Sequence, residues 1–434
     1  MLLISLLILI IFLGLEITIL IGVKVGLPER LSLSFLLGIG FLTFVVFLLA
    51  YISNLNFSLP NTFIILISLC AVCFILRFNK IIDLFKEMKF KRMTIKPKLL
   101  IFWGFTLIVF AFTLLTNLFW PISDWDALAL YDFRANVFLI DTNLIHAALS
   151  NSYFVQYPLL TSLAHLFVYQ TGVLNPKFIY SLFYLSFVTT FYYSLRRRVN
   201  ENKAILFTFI LSLVPEILTQ ATMAYTNLPY MVYLCSGIFY LYDWIKNRNH
   251  FTLILSAVLV GLSSWVRFAE PFWLVPLLIV FIMAVKNKKW KEFMYYLIII
   301  LTFYLPWRVF TDYVYGATIP VSNTVGLNYL AILKSINFEK ILLVINYLYI
   351  NVFSTWGLIF LLFIMILIRT AVNRKKSNNT FLYITLLFFA FLFAGTLFFS
   401  INYPNWQDIP ESVRRVSMFL LPLTLYWIAL SIDY

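Results

Sequence analysis

Apolar residues run along this chain in blocks of about 20, the length needed to cross a hydrocarbon core of about 30 Å. Each block is closed by a charge, a proline or an asparagine. The pattern predicts thirteen membrane helices, near 1–23, 31–52, 61–77, 99–119, 177–195, 204–219, 228–245, 251–268, 271–285, 293–311, 341–369, 380–400 and 416–433. One further apolar stretch, 157–171, opens at Tyr157-Pro158 and contains His165. At 15 residues it is too short to span, and it is expected to be re-entrant or surface-lying. The first block has no basic stretch ahead of it and is expected to stay as a span rather than act as a cleaved leader.

Charge sets the expected orientation. If 157–171 does not cross, the basic loops 77–98, 196–203, 246–248, 286–291 and 369–376 share one side, which the positive-inside preference makes the cytoplasm. That side then collects 24 of the 32 basic residues and seven of the 18 acidic ones. The formal charge of +14 is therefore expected to reflect topology, with no nucleic-acid partner. Composition agrees, since 62% apolar and 12% charged residues exclude a water-soluble globule. The expected fold class is an all-α integral membrane protein of the cell membrane. Within 79–98, Ile81, Ile82, Leu84, Phe85, Met88 and Phe90 alternate with lysines, either as an amphipathic helix on anionic lipid or as a solvated loop. This segment closes an N-terminal unit, 1–98, ahead of the remaining 99–434. Cys70, Cys73 and Cys235 all lie in apolar stretches, and Cys70-Ala-Val-Cys73 reads as helix packing rather than as redox or zinc chemistry.

The external side is where the unusual residues fall. It receives Asp124, Asp126, Asp132, Arg134, Asp141, His146, Glu216, Asn227, Arg267, Glu270, Arg308, Asp312, Asp408, Glu411, Arg414 and Arg415, near the apolar layer, where ionisable groups pair or line a polar cavity. The largest external segment is 120–176, in which Ala127 to Leu139 has helical periodicity. Trp120, Trp125, Tyr131, Tyr153 and Tyr157 suit the interfacial zone, so surface-lying helices are expected there. Asp124 and Asp126 have three open readings: a general base for a hydroxyl, a pair holding a divalent cation such as Mg²⁺ or Mn²⁺, or helix caps. Arg267 and Glu270, three apart, either pair with each other or leave Arg267 to grip a phosphate. Arg414 and Arg415 run against the positive-inside preference, which points to an anionic ligand unless Asp408 or Glu411 pairs with them. His146 and His165 lack metal-motif spacing and read as surface or packing residues. Glu16, inside the first block, is expected to be protonated or paired.

Four strings in order carry a resemblance. WDALALYDFRANVF (125–138), followed by YFVQYPLLTSLAHLFVY (153–169), resembles the first external loop of GT-C superfamily membrane glycosyltransferases. The likeness is to family 39-like proteins related to protein mannosyltransferases and the lipid A aminoarabinose transferase. AYTNLPYMVYL (224–234), GLSSWVRFAEPFWLVP (261–276) and SVRRVSMFLLP (412–422) resemble later elements of the same proteins. The likeness covers 99–434 and leaves the first three spans as accessory helices. It departs at Asn227, where the family often has Asp.

The resemblance implies inverting transfer of a sugar from a polyprenyl-phosphate donor to a glycan, lipid or protein acceptor on the non-cytoplasmic face, with membrane lipids as surroundings. It implies Asp126 as base with Asp124 assisting, and Arg267, Arg415 and Arg414 on the donor phosphate. Arg134, Tyr131, Tyr157, Asn227 and Glu270 would position substrate, and any metal would fall to Asp124 and Asp126. A transporter or flippase is the competing class, disfavoured because the charges gather at one face rather than at midplane. An O-antigen ligase or polymerase would carry its large external loop late rather than early, and a scaffold would not need the external charges.

Overall fold

A computed structural model describes residues 1–87, 96–150, 157–267, 271–318, 337–373, 379–402 and 405–432. Among them the regular elements are all helical. In chain order they are α1 (Leu2–Ile21), α2 (Leu27–Ser53), α3 (Leu59–Glu87) and α4 (Pro97–Phe119), then a π-helical turn (Ala127–Asp132) running into α5 (Phe133–Asp141). There follow α6 (Leu144–Ser150), α7 (Leu160–Gln170), α8 (Phe178–Arg196), α9 (Glu201–Ser212), α10 (Pro215–Ala221), α11 (Asn227–Asn247) and α12 (His250–Val266). The rest are α13 (Leu274–Asn287), α14 (Trp290–Thr318), α15 (Phe338–Trp356), α16 (Leu358–Asn373), α17 (Asn379–Asn402), α18 (Pro410–Ser417) and α19 (Leu421–Ser431).

Seven of these helices are long and apolar enough to cross a membrane, or up to ten if each of three bent pairs makes one span. The chain is thus multi-pass by length and composition, with fewer than thirteen spans meeting that measure among the described residues. Three causes account for the difference. At 21 residues α11 is long enough but not apolar enough, α12 and α13 have 17 and 14 residues, and several apolar blocks turn sharply. The block 341–369 is α15 and α16 meeting at 114°, where Gly357 takes φ 53° and its N–H closes α15 on the Phe353 carbonyl at 2.8 Å. The block 204–219 is α9 and α10, bent by 62° ahead of Pro215, which lacks the N–H needed to continue α9. The last block is α18 and α19, bent by 43°.

The 157–171 stretch forms the 11-residue α7, and it does not lie on the surface. It is buried along almost its whole length, and Thr62 near the start of α3 donates to the Gln170 side chain at its far end. The basic stretch expected as amphipathic continues α3 as backbone helix as far as Glu87, and 88–95 lies outside the described residues.

The centre of the bundle is α11, buried on every face from Asn227 to Trp244 and packed against α8, α10 and α12. A helix apolar all round belongs in a core, yet α11 also carries Asn227, Ser236, Asp243 and four tyrosines. At its C-terminal end Asp243 accepts from Arg197 Nε at 2.7 Å and from Arg198 Nε at 2.9 Å. Arg197 also donates through Nη1 to both carboxylate oxygens of Glu29, at 2.7 and 2.8 Å, and Tyr240 Oη donates to Glu29 Oε1 at 2.5 Å. This knot ties α2, α8 and α11 together at the end of the bundle that also gathers Lys96, Lys98, Arg196 and Glu201.

The N-terminal helices are held by close packing as well. Where α1 crosses α2, a Cβ on Gly38 would lie 1.9 Å from the Ile10 carbonyl oxygen, and one on Gly14 would lie 1.7 Å from the Ser34 carbonyl oxygen. Only hydrogen fits at either position, the small-residue contact that lets membrane helices approach. Gly38→Ala is expected to cost about 1–3 kcal/mol through overpacking. A fall in the thermal midpoint of the detergent-solubilised protein reads this, whereas a control Ala at Gly26, which faces open space, is expected to leave it unchanged.

Candidate active site

The opposite end of α11 is where the expected site residues meet. The chain leaves α4 at Phe119 and turns helical again when the Leu128 N–H bonds the Asp124 carbonyl at 2.9 Å. The π-helical turn that follows points Tyr131 and Asp132, adjacent in sequence, both into the protein. The Tyr131 hydroxyl lies 3.1 Å from Thr226 Oγ1, in the loop just ahead of α11. Its ring packs edge-on against Tyr157 and Tyr225 at 5.6 and 6.3 Å.

Asp126 sits at the start of this turn and is joined to two distant parts of the chain. Its N–H donates to the Tyr225 hydroxyl at 3.3 Å, and its Oδ2 accepts from Arg415 Nη1 at 2.7 Å. The Arg415 guanidinium lies 5.4 Å from the Tyr225 ring centroid, a cation–π distance. Asp126 makes no side-chain cap, so that reading of it fails. Arg415 pairs with Asp126, and Arg414 takes the alternative expected from sequence, donating to Glu411 at 3.2 Å and also to Asn351 at 3.2 Å. Burial and the Asp126 charge push the Tyr225 hydroxyl up, with Arg415 opposing. Lys177, at the head of α8, donates to the Pro121 carbonyl at 3.3 Å and lies within electrostatic reach of Asp124; its ammonium is drawn down by burial and held up by the Asp124 charge.

Arg267 ends α12 in an extended backbone conformation (φ −138°, ψ 134°) and is 8% exposed. Its Nη1 donates to Thr226 Oγ1 at 3.3 Å and to Asn227 Oδ1. Its guanidinium lies 5.3 Å from the Tyr157 ring centroid and 6.0 Å from that of Phe419. The chain of bonds continues, since Asn227 donates to Gln220 Oε1 at 3.1 Å and Gln220 donates to Glu216 Oε1 at 3.3 Å. Glu216 in turn lies within electrostatic reach of Arg414, Arg415 and Glu411. Glu270, the expected partner of Arg267, lies outside the described residues.

Of the other expected positioning residues, Arg134 is wholly buried and donates to the Tyr157 carbonyl at 2.6 Å and to the Leu130 carbonyl at 3.2 Å. It braces the turn against the Tyr157 segment and so acts on the site through Tyr131 and Tyr157. His146 is a surface residue sharing a hydrogen bond with Asp141 at 2.7 Å.

Sequence reasoning passed over two features. Tyr225 and Thr226 anchor Asp126, Tyr131 and Arg267, and their signal was their place directly before Asn227 in a string already singled out. The second feature is a buried cluster beneath the π-helical turn. Asp132 Oδ1 meets His165 Nδ1 at 3.1 Å and accepts from the Tyr169 hydroxyl, Oδ2 accepts from Asn136 at 3.1 Å, and His165 Nε2 meets the Tyr180 hydroxyl at 3.0 Å. Burial raises the Asp132 carboxyl, but the His165, Tyr169 and Asn136 bonds more than offset this and hold it below the usual aspartate range.

The metal reading gains no donor set. Among the described residues no group of three or more His, Cys, Asp or Glu side chains is placed to hold an ion, and Asp126 Oδ2 is already engaged by a guanidinium. What the arrangement offers chemically is a partly exposed carboxylate, three arginines and several aromatic rings at one end of the bundle. Compared with protein-family models, with curated proteins and with solved structures, the chain matches none of them.

Proposed function

We propose that this chain is a GT-C-type membrane glycosyltransferase. It would move a sugar from a polyprenyl-phosphate donor to a hydroxyl of a glycan, lipid or protein acceptor on the non-cytoplasmic face of the cell membrane. The carrying observation is that Asp126 meets Arg415 and Tyr225 while Asn227, two residues on from Tyr225, holds Arg267, so that four segments of chain converge at one end of α11. In this reading Asp126 takes the proton of the acceptor hydroxyl as its oxygen forms a bond to the anomeric carbon. The bond from that carbon to the phosphate oxygen breaks with inversion, and the electron pair leaves on the lipid phosphate. Arginine forks suit the oxygens on which that charge develops. Arg415 and Arg267 would meet them, with Arg414 at the rim, while the rings of Tyr131, Tyr157 and Tyr225 shape the floor. The thirteen-span arrangement belongs to this proposal too, with α11 and α12 crossing as largely protein-enclosed helices and α13 as a short helix with an exposed apolar face.

A transporter of polar or lipid-linked substrates is the second reading, favoured by the three bent helix pairs, since transporters build sites on broken helices. One experiment separates the two. The purified protein is given a panel of polyprenyl-phosphate sugars, with and without chelator, and release of polyprenyl phosphate is measured; in parallel, liposomes holding the protein are assayed for flux of the same compounds. Consumption of a donor is the expected result. Flux without consumption replaces the proposal with transport, and loss of consumption on chelation restores a cation to the mechanism.

A further inference from the structure

Arg415 differs from the other two site arginines in what holds it. Arg267 is 8% exposed, and its partners include Thr226 and Asn227. Arg414 is shared between Asn351 and Glu411. Among the described residues Arg415 has one hydrogen-bond partner, the Asp126 carboxylate, through a single contact of 2.7 Å. Both side chains are about one-third exposed, 30% for Arg415 and 36% for Asp126, so a ligand can reach the contact from outside. Tyr225 fixes the geometry on both sides, with its ring against the guanidinium face and its hydroxyl on the Asp126 N–H. The guanidinium edge is thereby left to the carboxylate.

Resting on the proposed function, we infer that the Asp126 carboxylate occupies on Arg415 the place that the donor's lipid phosphate takes, so that donor binding itself releases the base. The exchange conserves charge, because a phosphodiester monoanion replaces a carboxylate monoanion on the same guanidinium. It also alters the chemistry available at Asp126. While the pair is closed the guanidinium occupies Asp126 Oδ2, whereas once Arg415 turns to a phosphate that oxygen is free to meet an acceptor hydroxyl. Donor therefore binds first, and the acceptor is activated only beside a loaded phosphate. Tyr225 becomes a positioning residue, holding the Asp126 backbone still while the Arg415 fork changes partner.

Removing the internal competitor should tighten phosphate binding, since apparent affinity scales with the fraction of protein whose site is open. The test measures binding of a sugar-free polyprenyl phosphate, with polyprenol of equal length as reference, to the full-length protein in nanodiscs. If the pair is closed about nine-tenths of the time, Asp126→Asn binds polyprenyl phosphate about tenfold more tightly than the unmodified chain, and Arg415→Gln binds it at least about tenfold more weakly. Asp126→Ala gives the same reading should Asp126→Asn fail to fold. Unchanged or weakened binding in the Asp126 variants, with Arg415→Gln still weakened, overturns the inference and leaves the proposed function standing. Equal binding of polyprenyl phosphate and polyprenol by every form removes the phosphate site, and the proposed donor with it.

Discussion

Asp126→Asn is expected to lower sugar transfer by a factor of about 10² or more, the range associated with loss of a positioned general base. The substitution keeps size but removes both the basicity and the negative charge that pairs with Arg415. The fold should be unaffected, because a partly exposed ion pair contributes only about 0–1 kcal/mol, and the backbone bond from residue 126 to Tyr225 remains. Binding and turnover are thus expected to part company: polyprenyl phosphate held more tightly, transfer slowed. Single-turnover transfer with a saturating donor measures the loss directly. Near-normal turnover would move the base elsewhere, with Asp124, two residues back, the first carboxylate to test.

Asp243→Ala is expected to be the most damaging single change to stability, by about 3–5 kcal/mol, the cost of breaking a buried ion pair from one side. Asp243 is 2% exposed and satisfies both Arg197 and Arg198. Without it Arg197 keeps Glu29, while Arg198 loses its carboxylate partner. The measurement is the thermal midpoint in detergent, and an unchanged midpoint would show that the knot does not hold the bundle together. Because Asp243 lies at the far end of α11 from Asp126, binding of polyprenyl phosphate well below the midpoint should be normal. Lost binding at such a temperature would show that the two ends of α11 are not independent.

Much of the helical layout was legible because apolar length is a one-dimensional signal. The predicted 31–52 and 99–119 appear as Leu27–Ser53 and Pro97–Phe119. Direction is not one-dimensional, and hydropathy is blind to it. The run 341–369 is apolar on both sides of Gly357, so nothing but that glycine marks a turn of 114°. Its length of 29 residues, more than one crossing needs, was the available hint.

The candidate cluster was legible only in outline: charges that sit badly in an apolar chain set apart a group of residues that includes Asp126, Arg267 and Arg415 without singling these three out. Which of them would pair was not legible, because Asp126 and Arg415 are 289 residues apart. Tyr225 was hidden for the opposite reason: as one of 26 tyrosines it breaks no pattern. The Asp132–His165 cluster was obscured because a buried histidine and a helical aspartate each look ordinary until folding brings them together.

The wholly buried α11 also bears on how the chain enters a bilayer during synthesis. Asn227, Asp243 and its four tyrosines make this segment a poor candidate for partitioning into lipid by itself. Only Arg248 and Asn249 separate it from α12, and Val260 closes on Gly237 where the two helices cross, so close that a Cβ there would come within 2.6 Å. If the two cross the membrane, as the proposed thirteen-span arrangement has them do, this close pairing favours entry as a hairpin, with the more apolar α12 beside α11.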